Sequence, residues 1–127
     1  MTLQPEFFPI IKKAGFDTVR LPVRWSAHAG QKTPYTIDPD FLARVEWAID
    51  QATANGLNIV VNAHHYDDLD KDPAAHVPRL AAIWTQVAEK IRGRGDNVYF
   101  ELYNEPHGKF DTDTWNAAIP VLLEAVR

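Results

Sequence analysis

Residues 97–108 read Asn-Val-Tyr-Phe-Glu-Leu-Tyr-Asn-Glu-Pro-His-Gly. The aromatic and β-branched residues at the start of this stretch predict a strand from Asn97 to Tyr103. Pro106 lacks a backbone N–H and ends the strand, so Asn104 and Glu105 lie at its carboxyl end. Side chains that perform chemistry in α/β proteins are commonly placed at the carboxyl ends of strands. Glu105 is therefore the first candidate for a functional carboxylate.

Two earlier segments show the same pattern, in which polar or aromatic residues directly follow a predicted strand. Alternating apolar and polar residues predict a strand over 16–25, and a continuous apolar run predicts a buried parallel strand over 57–63. The residues at the ends of these two strands are Arg24 and Trp25, and then His64, His65 and Tyr66. Because parallel strands bring their carboxyl ends to one edge, we expect these side chains near Glu105.

Helical patterns precede, separate and follow the strands. Four helices are predicted, at 6–14, 38–55, 73–92 and 112–127. The second begins at a capping Asp38 followed by proline, and the last begins with Thr112 or Asp113 as its cap. Pro120 is expected to kink the last helix.

Alternation of helix and strand indicates an α/β fold of parallel strands joined by right-handed crossovers. An open doubly wound sheet and a closed (β/α)8 barrel both use this order. No glycine-rich phosphate loop follows any strand, so the usual dinucleotide-binding signal is absent. Polar side chains at every strand end favour the barrel. We predict a partial (β/α)8 TIM barrel with three parallel strands and four helices.

Composition narrows the classes of function. The 127 residues suffice for one domain with one core, and 46% hydrophobic and 24% charged residues argue against disorder. A net charge of -4 without a basic stripe gives no support for nucleic-acid binding. The absence of cysteine excludes disulfides and thiolate metal sites. No apolar run approaches the roughly 18 residues of a membrane span.

The pair Asn104-Glu105 suits proton transfer to a sugar. A carboxylate acts as a general acid near neutral pH when burial or a like charge raises its pKa, and an adjacent amide can orient a substrate hydroxyl. The alternative is a glutamate that only caps or turns the chain before Pro106.

Histidines and aromatic residues at the strand ends suit the binding of a sugar. His64 and His65 can donate hydrogen bonds to hydroxyl groups, and Trp25 and Tyr66 are candidate platforms for sugar rings. The alternative is one packed and one solvent-facing histidine. A metal site that uses these histidines with Asp67, Asp68 or Glu105 is a weaker alternative, because no metal-ligand spacing supports it.

Arg20 lies in a strand among apolar neighbours and needs an anionic partner, for which Glu101 and Glu105 are the candidates. Glu101 lies four positions before Glu105 on one strand, so their backbones are about 13 Å apart. The two catalytic carboxylates of glycosidases are only about 5–9.5 Å apart. Glu101 is therefore interpreted as the partner of Arg20. Asp67 and Asp68 remain weaker candidates for a second catalytic carboxylate.

The chain resembles glycoside hydrolase family 5, the cellulase family of clan A. The resemblance rests on three segments in the right order and spacing, residues 16–25 (Phe-Asp-Thr-Val-Arg-Leu-Pro-Val-Arg-Trp), 60–66 (Val-Val-Asn-Ala-His-His-Tyr) and 99–108 (Tyr-Phe-Glu-Leu-Tyr-Asn-Glu-Pro-His-Gly). It extends over nearly the whole chain and is similar to the bacterial endoglucanases of this family, some of which also cleave mannans.

The resemblance implies a retaining mechanism in a (β/α)8 barrel. Glu105 would match the acid/base, Asn104 the residue on the substrate 2-hydroxyl, and Arg20 the arginine behind the catalytic carboxylates. His64 would match a histidine on the third strand, and His65 a subsite residue. The family's nucleophile, a glutamate on the seventh strand, has no counterpart among these residues.

Residues 1–127 are thus expected to form a single partial barrel domain that lacks the first strand and the C-terminal half. The expected activity is endo-β-1,4-glucan hydrolysis, with mannan as a further substrate and without cofactor or metal. The alternative is a catalytically impaired fragment that folds by oligomerising and at most binds carbohydrate. Expected partners are a β-linked polysaccharide and, at the unpaired sheet edges, a second copy or a complementary half-barrel.

Overall fold

The computed structural model describes residues 2–127. Its strands are β1 (Thr18–Val23), β2 (Asn58–Ala63) and β3 (Val98–Glu101). They form one parallel sheet in the order β1-β2-β3, so the predicted parallel arrangement is confirmed. β1 and β3 are shorter than predicted at both ends, whereas β2 begins one residue later than predicted and ends at Ala63 as predicted.

Helices lie before, between and after the strands. They are α1 (Phe7–Lys13), α2 (Pro39–Ala54), α3 (Asp67–Lys71), α4 (Pro73–Ile91) and α5 (Thr112–Val126), with a 3-10 turn at Trp25–Ala27. The described residues thus contain five α-helices where four were predicted. The additional helix, α3, has five residues and no apolar periodicity, so the sequence pattern gave no sign of it.

The helix caps explain where the longer helices begin. Asp38 accepts a hydrogen bond from the Phe41 amide at 2.9 Å, as predicted for the start of α2. The cap of α5 was predicted wrongly as Thr112 or Asp113. Asp111 is the cap, and it accepts from the Thr114 amide at 3.0 Å. α5 continues through Pro120 to Val126.

The core lies between the helices and one face of the sheet. Its largest fully buried side chains include Trp25, Ile49, Ile59, Leu80, Trp84 and Phe110. Among the helix tryptophans, Trp84 is fully buried, while Trp47 and Trp115 are partly exposed and pack against the core. The opposite face of the sheet is open and carries Arg20 in β1 and Glu101 in β3.

A buried arginine connects two parts of the fold. Arg79 of α4 is 4% exposed and donates hydrogen bonds to the backbone carbonyls of Ser26, Ala29 and Gly30 and to the Tyr66 hydroxyl. The loop after β1 and the end of β2 are thereby fixed to α4. Within residues 2–127, no helix has the length and apolar character needed to cross a bilayer.

Candidate active site

Arg20 is the centre of a polar cluster on the open face of the sheet. Its Nε donates to Glu101 Oε2 at 2.7 Å, and its Nη2 donates to Glu101 Oε1 at 2.5 Å. Nη2 also donates to Asn104 Oδ1 at 2.7 Å. The pairing of Arg20 with Glu101 is therefore present, although the two side chains are 42% and 32% exposed and not buried as expected.

This pairing fixes the charge of both groups. The hydrogen bond from Arg20 lowers the pKa of Glu101, and the hydrogen bond to Glu101 raises the pKa of Arg20. Glu101 also accepts from Asn62 Nδ2 at 3.3 Å. A carboxylate whose oxygens are occupied by two donors is stabilised as an anion, so Glu101 is suited to holding Arg20 in place and not to proton transfer.

Hydrogen bonds hold both the backbone and the side chain of Asn104. Its backbone amide donates to the Ala63 carbonyl at 2.9 Å, which continues the β2–β3 pairing beyond the strand. Since its Oδ1 accepts from Arg20, its NH₂ group points away from the guanidinium. That NH₂ group can donate to a hydroxyl of a bound molecule.

Asn62 is fully buried in β2 and orders the neighbouring histidine. Its Oδ1 accepts from the Val23 amide at 3.3 Å, which directs Nδ2 towards Glu101 and His64. Nδ2 lies 3.3 Å from His64 Nδ1, so Nδ1 is the acceptor and Nε2 carries the proton. Burial, followed by the charges of His65 and Arg20, lowers the pKa of His64 and favours this neutral form.

The two histidines after β2 lie side by side. Their ring centroids are 4.2 Å apart at an interplanar angle of 80°. His65 has a left-handed backbone with φ of 52°, which is uncommon for a residue other than glycine. This turn leaves His65 exposed and His64 half-buried, and both side chains lie at the carboxyl edge of the sheet.

Glu105 follows Asn104 and is exposed. Its backbone is also left-handed, with φ of 49°, and its carboxylate accepts no hydrogen bond from residues 2–127. An uncommon backbone conformation is often found where function demands a particular side-chain direction. The carboxylate is therefore available to a ligand, beside the directed NH₂ group of Asn104.

A polar cavity of about 150 Å³ adjoins Glu105. It lies between the ends of β2 and β3 and is lined by His65, Asp67, Asp70, Tyr103, Asn104, Glu105 and His107. Of the two aspartates weighed as a second carboxylate, Asp67 lines both this cavity and a second one beside Tyr66 and Arg79, whereas Asp68 lines only the second.

The proposed sugar platforms were predicted wrongly. Trp25 is 1% exposed, and its indole N–H donates to the Asn62 carbonyl at 3.1 Å. Tyr66 is 4% exposed, and its hydroxyl accepts from Arg79 at 2.7 Å. Both residues are therefore part of the core, and their rings are too buried to stack on a sugar.

Three residues near the site were not predicted from the sequence as functional. Asn62 could have been noticed as an amide that directly follows three apolar residues inside a strand. His107 follows the proline of the key stretch directly. Asp70 could not have been noticed, because it lies in the unpredicted helix α3. Tertiary packing buries it to 7% exposure, which the local sequence does not indicate.

Comparisons with known proteins identify the family of the chain. The family model Cellulase (glycosyl hydrolase family 5) matches residues 3–127. The chain is 36% identical over 121 residues to endoglucanase H of Acetivibrio thermocellus, covering 95% of this chain and 13% of that protein. It is 36% identical over 115 residues to endoglucanase A of Ruminococcus albus, covering 87% of this chain and 32% of that protein.

Solved structures match over the whole chain. Thermotoga maritima Cel5A in complex with mannotriose superposes with a TM-score of 0.97 at 40% identity, and the same enzyme with cellobiose superposes with a TM-score of 0.98 at 41% identity. Each match covers 100% of this chain and 41% of the other, so the three-stranded unit is a partial TIM barrel. By its sequence and its fold, the chain belongs to glycosyl hydrolase family 5.

Proposed function

We propose that this chain provides the acid/base side of a retaining endo-β-1,4-glucanase that also accepts β-mannan. The observation that carries the proposal is the pair at the end of β3, an exposed Glu105 beside an Asn104 amide directed by Arg20. The endoglucanase relatives support the glucan substrate, and the mannotriose complex of Thermotoga maritima Cel5A supports the mannan substrate.

Glu105 acts twice in the proposed reaction. In the first step its carboxylic acid protonates the leaving glycosidic oxygen, while a second carboxylate attacks the anomeric carbon and forms a glycosyl ester. In the second step the Glu105 carboxylate takes a proton from water, which displaces the enzyme carboxylate and restores both groups. The nucleophile is supplied by a strand outside these 127 residues, as the resemblance to the family implies.

The other residues bind and orient the sugar. Asn104 donates its NH₂ group to the 2-hydroxyl, His64 donates from Nε2 to a neighbouring hydroxyl, and the exposed His65 extends the subsite. Arg20 holds Asn104 and keeps Glu101 ionised behind the site. These roles need no cofactor, and residues 1–127 act as one structural unit within the barrel.

The experiment is the Glu105→Gln substitution in a complete barrel, in which this chain is joined to the strand that supplies the nucleophile, assayed with carboxymethyl-cellulose. Loss of the transferable proton should lower kcat by about 10²–10⁴-fold, with cellobiose affinity retained. Glu124→Gln is the matched control, because Glu124 is an exposed glutamate on α5 away from the sheet edge. Equal activity of the Glu105→Gln variant and the control would refute the assignment.

A second candidate function follows from the open edges of the sheet. β1 and β3 each have one unpaired edge, and the nearby Phe16 and Tyr99 are 62% and 52% exposed. A catalytically impaired unit that closes these edges with another copy or with a complementary half-barrel would bind sugar without turnover. Light scattering for particle mass, combined with cellobiose titration and the cellulose assay, distinguishes this candidate from the hydrolase.

A further inference from the structure

The loop that carries Glu105 is attached to a single buried residue of α3. Asp70 accepts from the Tyr103 hydroxyl through Oδ2 at 2.8 Å, just before the loop begins. Its backbone carbonyl accepts from the Lys109 amide at 2.9 Å, just after the loop ends. Asp70 therefore fixes both ends of residues 103–109.

Gly108 shows how closely the loop approaches Asp70. A Cβ atom at Gly108 would lie 2.9 Å from the Asp70 carbonyl oxygen, closer than side-chain carbons normally come. Gly108 also has φ of 65°, which glycine adopts readily. The contact leaves little freedom for the loop to shift along α3.

The second oxygen of Asp70 has no hydrogen-bond partner among the described residues, although it is buried. A buried acceptor without a donor is unfavourable and normally has a reason. Nδ1 of His107 lies 3.7 Å from Asp70 Oδ1. The oxygen therefore faces the histidine across a short gap.

His107 connects this carboxylate to Glu105. Its Nδ1 lies 2.8 Å from the Glu105 backbone carbonyl, which can only accept, so Nδ1 carries a proton. The hydrogen bond holds the carbonyl of a residue whose φ is 49°. Since that φ is unfavourable for a glutamate, an external contact is needed to maintain it.

We propose that His107, together with the buried carboxylate of Asp70, is a positioning residue that holds Glu105 in its left-handed conformation and so directs its carboxylate. The inference rests on the proposed function, because it concerns the same acid/base. It assigns His107 no contact with the substrate and no proton transfer.

The charged groups that face His107 are Asp67 and Asp70 of α3 and Glu105 of its own loop. The hydrogen bond to the Glu105 carbonyl, followed by the charge of Asp70, raises the pKa of His107. A protonated His107 strengthens both contacts. An Asp70→Asn substitution should therefore shift the His107 titration, followed by NMR, to lower pH.

The functional test compares three substitutions in the complete barrel that contains the nucleophile. His107→Asn places an amide donor where Nδ1 stands and should keep kcat within about threefold of the unsubstituted protein. His107→Ala removes the donor and should lower kcat about ten- to a hundredfold with KM little changed, because a misdirected acid loses rate and not binding. Lys109→Ala is the control, since only the backbone of Lys109 is bonded to Asp70.

A structural readout keeps this test independent of activity. His107 is exposed, so the alanine variant should fold, and its crystal structure should show Glu105 outside the left-handed region. If kcat and the Glu105 backbone are both unchanged in His107→Ala, the positioning role is refuted while the proposed function stands. If the complete barrel with Glu105 and its nucleophile intact has no glycosidase activity, the proposed function fails and the Glu105 backbone alone decides the role of His107.

Discussion

The chain contains two arginine-centred clusters, and they differ in almost every physical respect. Arg79 is 4% exposed and is surrounded by neutral acceptors, three backbone carbonyls and the Tyr66 hydroxyl. Arg20 is exposed on the open face of the sheet, and its main partner is the carboxylate of Glu101. The buried arginine connects elements of the fold, whereas the exposed one positions groups at the edge where we propose that the sugar binds.

The difference shows what a buried charge requires. Desolvation of Arg79 is offset because its guanidinium makes four hydrogen bonds. Arg20 keeps part of its hydration, so its ion pair adds little stability. Its importance is geometric, since it directs Asn104 beside Glu105.

The largest expected effect is on stability, from Arg79→Met. This change leaves three backbone carbonyls and the Tyr66 hydroxyl without their donor, and we expect a loss of about 3 kcal/mol or more. Urea denaturation followed by circular dichroism measures it. Arg92→Met, at an exposed position just after α4, is the control and should change stability by less than about 0.5 kcal/mol. Equal urea midpoints would mean that Arg79 is not structural.

Arg20→Met should lower activity and leave stability nearly unchanged, the opposite of Arg79→Met. The variant should unfold within about 1 kcal/mol of the unsubstituted protein, because the ion pair is exposed. Its kcat on carboxymethyl-cellulose should fall about a hundredfold, because Asn104 loses its orientation and Glu101 its partner. A variant that loses stability but keeps kcat would reverse the roles of the two clusters.

Tyr66→Phe tests the corrected role of this ring. Removal of the hydroxyl deprives Arg79 of one acceptor and His76 of its partner at 2.8 Å, so a loss of about 1 kcal/mol is expected in urea denaturation. Cellobiose affinity, measured by calorimetry, should not change. A large loss of affinity at unchanged stability would restore Tyr66 as a sugar-binding residue.

The smallest expected effect is a pH dependence of the stability contributed by the Arg20 cluster, which the Arg79 cluster should lack. Because Arg20 lowers the pKa of Glu101, the pairing stabilises the fold above the ordinary glutamate pKa of about 4.3 and is lost as pH falls through the lowered value. Arg20→Met should remove this contribution. The stability difference between Arg20→Met and the unsubstituted protein should therefore shrink below about pH 4. The backbone carbonyls around Arg79 do not titrate, so Arg79→Met should show no such convergence.

Much of the fold could be predicted, because its signals are local. Alternation of helix and strand, the apolar run that forms β2 and the Asp38 cap gave the parallel sheet and the start of α2. The helix α3 and the Asp111 cap were missed, because a five-residue helix has no periodicity and neighbouring acidic residues compete for one cap.

The polar residues of the site were harder to interpret than the strands that carry them. The link between Arg20 and Glu101 could be predicted, since a charge among apolar strand residues needs a partner. Exposure of rings could not be predicted, and Trp25 and Tyr66 turned out to be buried. The contact between Asp70 and the loop of His107 depends on packing between distant segments, which no local pattern reports.

The most direct test of Glu105 as the acid/base uses Glu105→Ala in the complete barrel, which contains the nucleophile, with an aryl β-cellobioside and sodium azide. A good leaving group needs no acid, so the glycosyl-enzyme should still form, and azide needs no base to attack it. The account predicts that azide restores turnover and yields β-cellobiosyl azide, with retained configuration. Turnover that azide does not raise, or an α-configured product, would contradict the assignment of Glu105.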